Sequence, residues 1–339
     1  MTTLVLDPQA SINEVLSTAP DGPLTLILKE GIWREKVFVN RPDVTLISEE
    51  GARIDNDDRH GTIRDGKVFN TGDSATFTVS APNFSALGIT FSNSFDYQKG
   101  KAWNQEQKDG GKKMDLQAVA FRTAFGSDHA SFRACTFLGW QDTLYLDSGS
   151  ALFEDCTVKG SVDFIFGSGS ALFQGCEIVS RGPGFVAAPS TFESEELGFI
   201  FHDCVFSKEG NTEKNSVFVA RPWHPAGSEN RNPMVLLLDC TLAPHIHPYL
   251  WTDMASKRPD GTEKVWRGDN SRFFISSPGR ENIKIDEANK LLKLMMSRLS
   301  ESYGSCLFLY THKIEYFPLK VVEDFHEYFQ YIVPKFVFT

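Results

Sequence analysis

Aromatic, polar and small apolar positions recur along this chain in a fixed six-residue order. An aromatic residue or Leu is followed by two residues, a Cys, one further residue and an apolar one. The pattern appears in FRACTF (132–137), FEDCTV (153–158), FQGCEI (173–178), FHDCVF (201–206) and LLDCTL (237–242). FSALGI (84–89) fits if Leu87 takes the Cys place. Within each unit apolar and polar positions alternate, which predicts strands with one face in a core. The cysteines of these units fall at 135, 156, 176, 204 and 240, so successive gaps are 21, 20, 28 and 36 residues. A recurrence near 20 residues is the length of one coil of a parallel β-helix, and longer gaps predict coils with inserted loops.

The flanks follow other patterns. Residues 8–18 predict a short helix capping one end of the coil stack. Residues 24–54 read as strand, turn, strand, punctuated by Gly31, Pro42 and Gly51. Residues 94–115 are polar, Lys-rich and broken by Gly, which predicts a protruding loop. From about Ile285 the period becomes helical, with Leu291, Leu292, Met295, Met296 and Leu299 on one face. The division expected is a β-helix domain over 1–285 and a helical, aromatic-rich tail over 286–339, packed along the stack.

Composition changes this picture little. With 34 basic and 44 acidic residues the net charge is −10, which offers no general attraction to nucleic acid or to an anionic membrane. No stretch approaches the apolar length of a transmembrane helix. MTTLVLDPQASINEVLSTAP has neither a basic start nor an apolar run, so the chain as written reads as cytoplasmic, or as secreted if this is a mature sequence. The acidic surface predicts a monomer.

The cysteines, stacked on successive coils, predict an interior ladder of small thiols. Disulfides between neighbouring rungs are geometrically conceivable, and the missing export signal favours thiols. Zinc fits less well, because no CxxC or clustered His accompanies them. His245-Ile-His247 reads as a surface turn before Pro248.

The repeat is also a ruler for chemistry. Asp142 and Asp163 are 21 residues apart, the same interval as Cys135 and Cys156, so they occupy equivalent places on coils ~4.8 Å apart. Carboxylates that close tend to share a proton, one remaining anionic while the other becomes an acid. The alternative is two separate turn residues in water, but their apolar neighbours argue against it: Trp140, Leu144 and Tyr145 for one, Phe164 and Phe166 for the other. Gln141 precedes Asp142, and Gln117 lies about one coil upstream; neutral amides there suit an oxyanion. Arg221 can hold one carboxylate ionised, and Trp223 offers a flat face for a sugar.

With those residues assembled, GWQDTLYLDSG (139–149), VDFIFGSGSALFQGC (162–176), QAVAFR (117–122) and ARPW (220–223) resemble the signature blocks of the pectin methylesterases, the pectinesterase family of carbohydrate esterases. Residues 28–39, 74–93 and 272–279 are also similar to family segments, so the resemblance spans about residues 4 to 285. It implies an all-β, single-domain, right-handed parallel β-helix that hydrolyses methyl esters of galacturonate units in pectin or methyl oligogalacturonides, with no metal or other cofactor. It implies Asp163 as nucleophile, Asp142 as general acid and base, Gln117 and Gln141 as oxyanion donors, and Arg221 as the residue orienting the nucleophile. Tyr145, Phe166, Trp223 and Met254 would contact substrate. Trp140 stands where many members carry Tyr, and residues 94–115 and those beyond about 285 match no family segment.

Other readings remain from geometry. Carboxylates ~5 Å apart also suit a retaining glycosidase, so a polygalacturonase-type enzyme is one rival, for which His202 and His224 lack the expected acidic neighbours. A calcium-dependent lyase needs an acidic cage, whereas FESEELG (192–198) reads as a solvated loop. A polysaccharide-binding β-helix without catalysis would not require Gln117, Gln141, Asp142, Asp163 and Arg221 together. A serine esterase is disfavoured because no GxSxG elbow occurs.

Overall fold

The structure is a computed structural model and describes residues 1–303, apart from Glu50, 108–110 and Lys112. Met1–Ser302 form one compact unit. Almost all of its strands lie in parallel register, and the chain climbs through three sheets coil by coil. The first sheet runs from Thr2–Leu6 through strands such as Ala130–Arg133, Ser150–Glu154, Ser170–Gln174 and Phe199–His202 to Arg272–Ser277. The second carries Thr90–Asn93 and Thr136–Leu138; the third carries Phe77–Val79, Phe121–Thr123 and Leu144–Leu146. Two long strands, Thr157–Gly167 and Glu177–Pro189, turn the corner and belong to both. This is a parallel β-helix.

The alternating pattern explains the core. Phe132, Phe153, Phe173 and Phe201 are paired in register on successive coils. Their rings stack at 4.7, 4.6 and 4.7 Å between centroids, the rise of one coil. The cysteines form a second ladder of buried free thiols. Each points at a carbonyl of the coil before: Cys156 Sγ at Phe132 O (3.5 Å), Cys176 at Phe153 O (3.4 Å), Cys204 at Phe173 O (3.3 Å) and Cys240 at Phe201 O (3.3 Å). The residue before each Cys turns the chain through the left-handed region: Ala134, Asp155, Gly175, Asp203 and Asp239 have φ of 49–63°. Asp and Gly tolerate that conformation, which accounts for their recurrence there.

Several expectations are corrected. FSALGI belongs to the stack two residues out of the predicted register: Ala86 pairs with Phe132 and Thr90 with Thr136, which places Ile89, not Leu87, opposite Cys135. A slip of two preserves alternation, so periodicity cannot detect it. Residues 24–54 contain five strands rather than two. Residues 94–115 are not simply a loop, because Tyr97–Glu106 is a helix capped by Asp96, whose side chain accepts from Lys99 N at 3.0 Å. His245 is no surface residue: it is buried, with Nε2 3.2 Å from Ser180 Oγ.

Both flanking helices close apolar surface. Ile12–Thr18, capped by Ser11, buries Ile12 and Leu16. Ile285–Tyr303 buries Ala288, Leu292, Met295 and Leu299, while Leu291 and Met296 of the predicted face are half-buried. Arg298 fastens this helix to the outside of the first sheet through Ser170 Oγ at 3.1 Å. The outward row Leu152, Leu172, Ile200 and Leu236 on that sheet is buried. The remainder of the predicted tail, from 304 onward, lies outside the described residues.

Candidate active site

Most of the predicted site residues meet at the corner between the second and third sheets. Single parallel bridges join Gln117 to Gln141 and Gln141 to Val162 across three coils. Asp142 and Asp163 follow directly in the last two, and Asp142 N donates to Val162 O at 3.0 Å. Both aspartates have positive φ, 63° and 49°, and the ladder shifts register on either side of Val162. A local bulge therefore turns side chains outward from a strand whose neighbours Phe164 and Ile165 are fully buried. Gly160 makes the corner possible, because a Cβ there would stand 2.2 Å from the Phe164 Cβ. Gln117 lies one coil upstream of Asp142, as its spacing predicts, with Gln141 as its register partner.

The two carboxylates, each only 8% exposed, have different surroundings. Arg221 grips Asp163 with two hydrogen bonds, Nε to Oδ1 at 2.8 Å and Nη2 to Oδ2 at 2.5 Å. Such a fork is a bidentate, charge-assisted contact that fixes the orientation of the carboxylate. Arg221 is itself held by its backbone N to Ala187 O at 3.1 Å, and its guanidinium lies 3.7 Å from the Phe185 ring centroid. Among the described residues no side chain hydrogen-bonds to the Asp142 carboxylate. Burial and the nearby Asp163 charge raise its pKa well above the usual carboxylate range, with Arg221 opposing them. Gln117 Oε1 is buried without a hydrogen-bond partner among the described residues.

Three aromatic residues adjoin this pair. Tyr145 and Phe166 are register partners on neighbouring coils and stack at 4.2 Å, 12° from parallel. Trp223 meets Phe166 edge-on at 5.7 Å and Tyr145 at 6.5 Å. Burial and the neighbouring Asp147 push the Tyr145 phenol up, so it is neutral at ordinary pH. Met254 lies on the hairpin of Met254–Lys257 and Glu263–Trp266. It pairs with Trp266, which stacks on His224 next to Trp223.

Residues that sequence reasoning missed support these groups. Arg122 pairs with Asp147 at 2.6 Å and lies 5.2 Å from the Tyr145 ring centroid. Its register with Thr78 and Tyr145 on one outward row was the available signal. Tyr97 stacks on Trp140, two residues before Asp142. A groove of about 710 Å³ on the outer face of the second sheet, lined in part by Thr90, Thr136, Thr157 and Lys159, contains none of the predicted site residues.

The rival chemistries find less equipment. His202 Nδ1 lies 2.6 Å from Gln174 Oε1 on the first sheet, and His224 Nδ1 lies 2.7 Å from Ser228 O. Neither joins the aspartate pair. Among the described residues no group of three or more His, Cys, Asp or Glu is arranged to hold a metal ion.

An unequal carboxylate pair beside a stacking platform, on the outside of a parallel β-helix, is the equipment of a hydrolase acting on a sugar polymer. Comparison with known proteins makes this specific: the Pectinesterase family pattern matches residues 8–262, and the chain belongs to that family. It is 32% identical over 287 residues to Pectinesterase A of Dickeya chrysanthemi, covering 78% of this chain and 77% of that one. Among solved structures it is similar to the pectin methylesterase from Yersinia enterocolitica, with 32% identity, a TM-score of 0.77, and coverage of 85% of this chain and 98% of that one. A pectin methylesterase crystallised with a hexasaccharide is 30% identical, with a TM-score of 0.76 and coverage of 83% and 90%. The chain is a pectinesterase.

Proposed function

We propose that this pectinesterase hydrolyses methyl esters of galacturonate units in pectin or its oligosaccharides through an aspartate nucleophile and an aspartate acid. One observation carries the assignment of roles: Asp163 is gripped by Arg221, whereas Asp142 is buried beside it without such a partner. An anion and a neutral acid side by side are what a two-step ester hydrolysis uses.

In this reading the Asp163 carboxylate attacks the ester carbonyl carbon, and the carbonyl oxygen becomes an oxyanion. The amides of Gln117 and Gln141, bridged on adjacent coils, offer neutral donors for that charge. The tetrahedral species collapses, the bond to the methoxy oxygen breaks, and Asp142 gives its proton to the departing methanol. What remains is an anhydride between the galacturonyl carbon and Asp163, beside an ionised Asp142. Asp142 then takes a proton from water, whose oxygen attacks the galacturonyl carbon; Asp163 departs as carboxylate and the product acid is released. Tyr145, Phe166 and Trp223 give sugar rings an apolar face. The acidic balance of the chain, a net charge of −10, supports action as a monomer.

The test uses methylated pectin and methyl oligogalacturonides and follows methanol, new reducing ends and unsaturated products together. The reading predicts methanol alone. Reducing ends without methanol would favour the glycosidase rival and overturn it.

A further inference from the structure

We propose that Tyr97, on the helix over residues 97–106, is a positioning residue for Asp142: its ring and the Arg181 guanidinium, both packed on Trp140, fix the turn that aims the acid at the substrate. The inference rests on the esterase reading for the role of Asp142, but its geometry is independent of that reading. Tyr97 is 7% exposed, and its ring lies 5.4 Å from that of Trp140 at an interplanar angle of 7°. Arg181 places its guanidinium carbon 4.0 Å from the Trp140 ring centroid. The same guanidinium donates to Gly139 O at 2.6 Å and pairs with Glu209 at 3.1 Å, so it is anchored rather than swinging.

The turn 139–142 is held on its backbone too. Gly139 N donates to Lys159 O at 3.1 Å, and Trp140 O accepts from Ser161 N at 2.8 Å. Tyr97 therefore borders both catalytic segments. It stacks on the residue before Gln141-Asp142, and its hydroxyl lies toward Ser161, two residues before Asp163. Ser161 Oγ is buried without a hydrogen-bond partner among the described residues. Asp142 adopts a left-handed conformation at φ 63°. Holding it there, with no side-chain hydrogen bond on its carboxylate, depends on packing of its neighbours.

The consequence is electrostatic as well as geometric. The charged and titratable groups that influence Asp142 are Asp163 and Arg221, with the Tyr97 and Tyr145 phenols sensing its charge. Removing the Tyr97 ring lets water reach the turn, which relieves the desolvation keeping Asp142 protonated. An acid that must hold its proton then loses it at lower pH.

The experiment measures kcat, KM and the pH profile of methanol release on methyl oligogalacturonides for the wild type, Tyr97→Phe and Tyr97→Ala. Tyr97→Ala is expected to lower kcat about tenfold, leave KM within about twofold, and move the alkaline limb of kcat to lower pH. Tyr97→Phe, which keeps the stack, is expected to retain the wild-type limb. A Tyr97→Ala enzyme with an unmoved limb, or a Tyr97→Phe enzyme as impaired as Tyr97→Ala, would overturn the proposal. If Tyr97→Ala fails to fold, Tyr97→Leu, which keeps apolar volume without a flat face, is read by the same criteria. Absence of methanol with the wild type would instead defeat the esterase reading itself.

Discussion

At the scale of residues, the central fact is that two aspartates 21 positions apart are made unequal by their surroundings. Their pairing was legible in the sequence because the cysteine spacing supplied a ruler, and Arg221 and the aromatic residues were legible as motif neighbours. Tyr97 was not legible, since its partner Trp140 lies on a different coil and no repeat links them. The raised pKa of Asp142 makes a prediction about stability. The folded state holds that proton more tightly than the unfolded chain does, so stability falls as pH rises from about 4 toward the raised folded value. Asp142→Asn removes this cost. We expect its Tm to exceed that of the wild type at neutral pH, with the difference shrinking near pH 4, as measured by thermal denaturation at both. The same variant should lose about 10²- to 10⁴-fold in kcat, the range for a general acid. A Tm gap that widened on acidification would contradict the assignment of Asp142 as the neutral partner.

At the scale of elements, strand alternation carried the reading well where units were regular and poorly where they were short. The strands Gly31–Trp33 and Val37–Val39 have three residues each, too few to show a period, so they merged into longer predicted elements. FSALGI slipped by two because alternation is unchanged by that shift, and only the left-handed Gly88 marks the turn. The Tyr97–Glu106 helix was hidden by Lys, Gln and an internal glycine; it buries only Tyr97 and Gly100. Where the ladder is regular, packing makes a firm prediction. Phe153 sits between Phe132 and Phe173 in the ring stack and is fully buried. Phe153→Ala is expected to cost ~3–5 kcal/mol in unfolding free energy by urea titration. A loss under about 1 kcal/mol would mean that the stack does not support this part of the coil.

At the scale of the whole molecule, the fold separates what stabilises from what reacts. Interior faces carry the Phe and Cys ladders, while the aspartate pair is turned outward at one corner by a local bulge. The ladder cysteines are buried thiols, so a thiol reagent should modify those five only after denaturation; rapid modification of any of the five in the native protein, located by peptide mapping, would contradict their placement. The groove on the second sheet holds none of the predicted site residues, and its cations Arg53, Lys159 and Arg181 are already paired, the first with Asp55 and the others with Glu209. The proposed site rests on the side chains gathered at the corner, the Arg221–Asp163 pair beside Asp142. The most direct test of the account is methanol release by Asp163→Asn, with folding checked by circular dichroism. The account predicts a folded protein with turnover below about one-thousandth of wild type. A folded Asp163→Asn enzyme releasing methanol at the wild-type rate would contradict it.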